Sequence, residues 1–245
     1  MDRTLIARVA ARYAAEGRFV QGFVAGKLRR DPASRAILGV AARTPFGAVI
    51  DVGCGRGQLG VALLLAGGAT SVLGIETAPV QAAQAARAGA GLGLSVVQRN
   101  LAADLSLPGA LPGADTVLIV DVLYQLPTAA QLALVRAAAA ARRCVLIRTL
   151  DPGAGARAWL TILWERLSRR LSPHAGAMVN PRPPAEAAAI LRAAGFAVTI
   201  ATCRDGTPFA NVLITARRPD APSPRAAPEY SRGAGPGTSC SPPAP

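Results

Sequence analysis

The chain has 245 residues, 51% apolar and 17% charged, with 27 basic against 14 acidic side chains and a formal charge of +13. That balance supports a buried core and excludes a chain disordered throughout. Four cysteines, at positions 54, 144, 203 and 240, are too dispersed for a disulfide scaffold or a metal knuckle. The length fits one α/β domain with additions. Lys27 is the single lysine among the 27 basic residues, and Arg, Ala, Gly and Pro are all heavily used. A GC-rich coding sequence produces that bias without any anionic partner. The basic residues are scattered, and three Tyr, five Phe and two Trp leave little for a base-stacking platform, so nucleic acid is not an expected partner. The longest apolar stretch, residues 61–75, is too short and too rich in glycine to span a membrane. The first residues lack the apolar run of a secretory signal, and the cytoplasm is the expected compartment.

Residues 1 to about 43 read as helix, with Leu5, Ile6, Val9, Tyr13, Phe19, Val20, Phe23 and Val24 at helical spacing. Asp31-Pro32 breaks this run and caps a second helix through Ile37 and Val40. Strands are then expected at 47–51, 71–76, 94–98, 115–121 and 144–150, with helices at 58–66, 79–88 and 128–141 between them. The fourth strand, DTVLIVD, is continuously apolar, as central parallel strands are. Residues 154–171 read as an additional amphipathic helix with Trp159, Ile162, Leu163, Leu167 and Leu171 on its apolar face, so Trp159 and Trp164 are expected to pack. A Pro-rich loop leads to a helix at 185–194 and strands at 196–202 and 210–216. The short link between those two strands suits an antiparallel pair. From Pro219 onward the chain is rich in Pro, Ser, Gly and Ala and is expected to be disordered.

The most informative segment is Val49-Ile-Asp-Val-Gly-Cys-Gly-Arg-Gly-Gln58. Gly53, Gly55 and Gly57 follow a buried strand and open a helix, which lets backbone approach a ligand at the carboxyl edge of the sheet. Glu76 ends the next strand, where a carboxylate can accept both hydroxyls of a ribose. A shifted reading, Gly55-x-Gly57-x-x-Gly60, matches the dinucleotide fingerprint, so a nicotinamide- or flavin-dependent oxidoreductase is a rival reading. Charge separates the two. Asp51 just before the glycines opposes a pyrophosphate, and Asp121 ends the fourth strand beside it. Two acids at one crevice suit a cationic ligand, and S-adenosylmethionine carries a sulfonium and an ammonium against one carboxylate.

VIDVGCGRGQ, VLGIE closed by Glu76, and DTVLIVDVLYQLP resemble the class I S-adenosylmethionine-dependent methyltransferases, strongly over residues 45–150 and less closely over 185–217. GKLRRDP, DVLYQLP and GTPFANVLI further resemble a bacterial small-molecule subgroup associated with fatty-acid-like or aryl-polyene pigment pathways. The resemblance implies a doubly wound, seven-stranded, mostly parallel Rossmann-like α/β sheet whose last strand is antiparallel. The corresponding organisation is an N-terminal helical cap (1–44), a catalytic domain (45–218, with a helical insertion at about 151–184) and a tail (219–245).

Carried over by position, the resemblance places Gly53, Gly55 and Gly57 against the methionine part of the cofactor and Glu76 on its ribose. Asp51 orders the turn or bonds the ammonium, Asn100 or Asp104 meets the adenine amino group, and Asp121 lines the methionine end. Lys27 either closes over the cofactor carboxylate or is simply solvated. Tyr124 and His174 are the candidate catalytic residues. Tyr124 stands where subgroup relatives have His, and His174, the only histidine, follows Pro173 in a loop. Cys54 fits a turn that needs a small side chain. No metal is implied. The expected activity is methyl transfer to a small hydrophobic or acyl-type acceptor, with a non-catalytic binding module of the same fold as the second rival. The missing NPPY-like segment after the fourth strand argues against a base or amide nitrogen as target.

Overall fold

A computed structural model describes residues 2–100, 113–170 and 179–219 of the chain. Asp104, Leu171, His174 and the tail from residue 220 lie outside the described residues.

Three helices precede the sheet: α1 (Arg3–Ala11), α2 (Arg18–Arg30) and α3 (Pro32–Arg43). Asp2 caps α1 by accepting the Thr4 N–H at 3.0 Å. Asp31 caps α3 by accepting the N–H groups of Ala33 and Ser34, and Pro32 supplies the preset φ of the first helical position. The expected continuous helix before Asp31 is broken. A 3-10 turn at Ala14–Glu16 and Gly17 at φ 87° separate α1 from α2. The break rephases the apolar stripe, so Val20, Val24 and Leu28 are buried whereas Phe19 is 81% exposed and Phe23 43%.

The strands are β1 (Ala48–Val52), β2 (Ser71–Glu76), β3 (Leu94–Gln98), β4 (Thr116–Val120), β5 (Cys144–Leu150), β6 (Ala197–Thr202) and β7 (Asn211–Arg217). Helices α4 (Gln58–Leu65), α5 (Pro79–Gly89), α6 (Thr128–Ala138), α7 (Ala156–Arg170) and α8 (Pro184–Ala193) join them. They form one seven-stranded sheet in the order β3-β2-β1-β4-β5-β7-β6. Neighbours among β1–β5 run parallel, and β7 is antiparallel to both β5 and β6. The chain steps outward from β1 through β2 and β3, then restarts at β4 on the other side of β1. That reversal opens a crevice beyond the carboxyl ends of β1 and β4.

The strand pleat divides the apolar residues between two cores. Val49, Val72, Leu118 and Leu146 point to the face covered by α1–α4, while Ile50, Ile75, Val117, Ile119 and Ile147 point to the face covered by α6 and α8. β5 is buried at every position and β6 at none, as expected of a central and an edge strand.

Helix α7 departs from the sequence reading. Among its described side chains a narrow stripe, Ala158 and Thr161, is buried, while Trp159 (67%), Trp164 (55%), Leu163 and Leu167 are exposed. The periodic face that looks like a core stripe points to solvent. The helix is tethered through Thr161, whose Oγ1 accepts the Ala210 N–H at 2.9 Å and donates to the Arg157 carbonyl at 2.7 Å. Trp164 meets Phe209 with ring centroids 6.3 Å apart. Among the described residues no helix is long and apolar enough to cross a membrane.

Candidate functional site

The turn after β1 is held from three sides. Gly53 and Cys54 donate their N–H groups to the Ile75 carbonyl at 2.8 and 3.1 Å, which laces the turn to β2. The Gly57 N–H returns to the Cys54 carbonyl at 2.9 Å. Tyr13, fully buried, donates its hydroxyl to the Arg56 carbonyl at 2.6 Å. Burial raises the Tyr13 pKa, so the phenol stays a donor. Gly57 (φ 74°) caps α4 in a left-handed conformation, and a Cβ there would lie 2.8 Å from that of Ala85. At Gly53 (φ 68°) a Cβ would strike Val122. Tyr13 reads in the sequence as one more apolar helix position. Its contact with the turn spans 43 residues and leaves no local signal.

Glu76, 7% exposed, is built into this turn. Its Oε2 accepts the Gly55 N–H at 2.7 Å, and its Oε1 accepts the N–H groups of Thr77 and Ala78 at 2.8 and 2.9 Å. A carboxylate offers about four lone-pair directions, so Oε2 keeps capacity for a further donor. Asp51 is 3% exposed on the α1–α4 face, and burial lifts its pKa from 3.8 to about 7. Lys27 opposes that shift and Glu76 adds to it.

Helices α2 and α3 roof the crevice. Phe23, Lys27, Asp31 and Ser34 face Asp51, Gly53, Gly55 and Gln58 across a cavity of about 200 Å³. The Arg56 guanidinium lies 4.8 Å from the Phe23 ring centroid and donates to Gln84 at 3.0 Å. Among the described residues the buried Gln58 Oε1, also on this wall, has no hydrogen-bond partner.

Asp121 occupies a different setting from the one its strand-end position suggests. It sits at φ 60° just past β4 and is ion-paired to Arg148 Nη1, which also lies 3.5 Å from Asp31 Oδ1. Arg148 projects from β5 on the same face as Asp51 and was not singled out in the sequence. Burial works against its charge, but Asp121 and then Asp31 raise its pKa nonetheless. The Asp31 pKa is lowered: burial acts upward, and Arg148, Ser34 and Lys27 together outweigh it. Among the described residues Asp51 and Glu76 face the crevice without a bonded arginine, whereas Asp121, expected from the sequence as the second acid beside Asp51, is neutralised by Arg148. Tyr124 is 3% exposed in a 3-10 turn (Leu123–Gln125), and its carbonyl accepts the Asn180 N–H at 2.7 Å. Asn100 is exposed two residues beyond β3 on the same sheet edge as Glu76. Cys54 is a buried free thiol raised by burial, Asp51 and Glu76, which disfavours a nucleophilic thiolate. Among the described residues no cluster of three or more His, Cys, Asp or Glu side chains could hold a metal ion.

Residues 49–144 match the family model described as a methyltransferase domain. No curated protein matches the sequence. Among solved structures, the chain is similar to an O-methyltransferase family protein from Burkholderia thailandensis, with 21% identity and a TM-score of 0.61 over 82% of this chain and 58% of that one. It is similar to an S-adenosylmethionine-dependent methyltransferase from Mesorhizobium loti, with 22% identity and a TM-score of 0.56 over 76% and 96%. It is also similar to TnmH, with 25% identity and a TM-score of 0.53 over 84% and 60%. The chain thus spans about three fifths of the Burkholderia protein and of TnmH. The fold is the Rossmann-like fold of methyltransferases, and the family match lies on the strands that carry the glycine turn.

Proposed function

We propose that the protein transfers a methyl group from S-adenosylmethionine to a small hydrophobic or acyl-type acceptor. The observation that carries this reading is the buried Asp51 beside the glycine turn, facing Lys27. A carboxyl that burial keeps protonated to about pH 7, Lys27 offsetting that only in part, suits an ammonium ligand and disfavours a pyrophosphate. The unpaired Gln58 carbonyl on the same wall suits a donor in the same way. Both fit the amino-acid end of S-adenosylmethionine, and Lys27 would meet its carboxylate. Gly53, Gly55 and Gly57 give that end close backbone approach, Glu76 would hold the ribose through Oε2, and Asn100 the adenine edge.

When bound, this cofactor supplies a methyl already activated on sulfur. What remains for the chain is orientation, exclusion of water and a suitable field. The α2–α3 roof excludes water, the turn fixes orientation, and Arg148 holds Asp121 out of the field. The acceptor side falls to α7 and the loop that joins it to β5, at the same sheet edge, with Trp159, Leu163, Trp164 and Leu167 of the helix facing outward. Tyr124 is in this reading a buried support near Arg148 rather than a base.

Calorimetric titration with S-adenosylhomocysteine, NADH and NADPH tests the proposal. Micromolar binding of the first alone supports it. Binding of a nicotinamide cofactor alone assigns the oxidoreductase reading.

A further inference from the structure

A second cleft lies at the opposite edge of the sheet. Thr116 and Cys144 begin β4 and β5 there, and Arg217 ends the antiparallel β7. Together with Thr44, Arg143 and Arg218 they line a cavity of about 280 Å³, larger than the crevice at the glycine turn. A five-residue strand such as β4 puts the two roughly 16 Å apart.

The three arginines are not equivalent. Arg218 is a structural clamp: it donates to the carbonyls of Ala139, Ala141 and Ala194 at 3.0–3.1 Å and stacks 4.3 Å from the Phe196 centroid. Among the described residues Arg217 makes one side-chain bond, to Thr44 Oγ1 at 3.2 Å. Arg143 is 9% exposed, and among the described residues its guanidinium has neither a hydrogen bond nor an ion pair. Among the described residues no carboxylate lines the cavity. Asp115, next to the lining residue Thr116, accepts the Ala48 N–H with Oδ2 at 2.9 Å, while its carbonyl takes the N–H groups of Arg143 and Cys144. Cys144 lies between Arg143 and Arg217 on the cavity wall; burial raises its thiol pKa, and both arginines act against that rise. The Arg143 nitrogens are not among the buried unpartnered polar atoms, so the guanidinium faces the cavity's solvent, and its planar fork matches a tetrahedral oxyanion.

We propose that this cleft binds a phosphoryl group, free or as a monoester, through Arg143 and Arg217, separately from the crevice at the glycine turn. Its volume leaves room for more than the phosphate itself.

The test uses the full-length chain at constant ionic strength. Thermal unfolding and calorimetry are followed with inorganic phosphate, glycerol 2-phosphate and, as control, chloride. The expected result is saturable stabilisation by phosphate or the monoester but not by chloride. Arg143→Gln should weaken it about tenfold or more and leave S-adenosylhomocysteine binding unchanged, so that this site and the proposed function stand or fall separately. Tighter binding of the monoester than of inorganic phosphate would identify an organic phosphate as the ligand. Arg143→Met provides a second variant: it should fold with equal or higher melting temperature and lose the phosphate response. A response that persists in both variants, or that chloride reproduces, overturns the proposal. So does a protein indifferent to phosphate whose melting temperature falls in Asp220→Asn, because the chain's own carboxylate would then be the counter-ion.

Discussion

Gly55 donates its backbone N–H to Glu76 Oε2 at 2.7 Å, so the acid at the end of β2 is both a wall of the crevice and a fastening of the turn that forms it. Glu76→Ala should therefore lose affinity for S-adenosylhomocysteine by about 1–3 kcal/mol, the scale of a hydrogen bond to a charged group. It should also lower unfolding stability in the absence of any ligand. Glu76→Gln, which keeps one acceptor oxygen, should recover part of the stability and less of the affinity. Calorimetry and urea unfolding of the three proteins separate the two roles. Loss of stability with unchanged affinity would remove Glu76 from the ligand site.

Asp51 should make ligand affinity depend on pH. Burial raises its pKa to about 7, so below that the carboxyl is neutral and offers a cationic ligand no charge. Affinity for S-adenosylhomocysteine should rise as the pH climbs through 7, with a proton released on binding. The linkage to folding runs the other way. A carboxyl whose folded pKa exceeds its unfolded one stabilises fully below about pH 4 and loses that contribution as pH rises through about 7. The gap between 3.8 and about 7 corresponds to about 4 kcal/mol as an upper scale. Asp51→Asn should accordingly be more stable than wild type at pH 8 and bind the ligand poorly at every pH. Calorimetry in buffers of different ionisation enthalpy reads the proton release directly.

Tyr13→Phe should cost about 1 kcal/mol of stability, because the Arg56 carbonyl loses its donor. It should also weaken ligand binding, although the side chain lies outside the crevice. Wild-type affinity in this variant would show that β2 alone keeps the turn in place.

Arg148 balances two acids in the interior, Asp121 and Asp31. Arg148→Ala should destabilise by about 3–5 kcal/mol, the usual cost of stranding a buried charge. Asp31, whose pKa is lowered, contributes stability that is present above about pH 4 and lost as pH falls through its folded value. Asp31→Asn should therefore flatten the acid limb of the stability profile, as followed by circular dichroism against pH.

The only two tryptophans, Trp159 and Trp164, both lie on the exposed face of α7. Emission of the free protein should thus be that of solvated indole. An acceptor that turns over should shift it to the blue, and emission unchanged by such an acceptor would take α7 out of the acceptor site.

The parallel sheet was legible because its strands are short apolar runs, each followed by a helical pattern, and β7 because residues 203–210 leave no room for a crossover. The glycines, Asp51 and Glu76 were legible because they sit at fixed offsets along one βαβ unit. Three features were not. Gly17 turns the chain inside a segment whose apolar spacing continues across it, so Phe19 reads as core and is solvent-exposed. The outward face of α7 has the same period as an inward one. The pairing of Asp121 with Arg148 joins the ends of neighbouring strands 27 residues apart, and only the folded sheet brings them together.

The N-terminal helices bear on how this chain can be divided. Residues 49–144 carry the family match, yet the sheet face bearing Val49, Leu118 and Leu146 is sealed by side chains that precede them, among them Ile6, Val9, Val24 and Ile37. A fragment trimmed to the matched stretch would bare that face and lose β5 beyond its first residue. The glycine turn is therefore not a transplantable cassette. Moving it to another scaffold, or shortening this one, requires carrying the first 43 residues along.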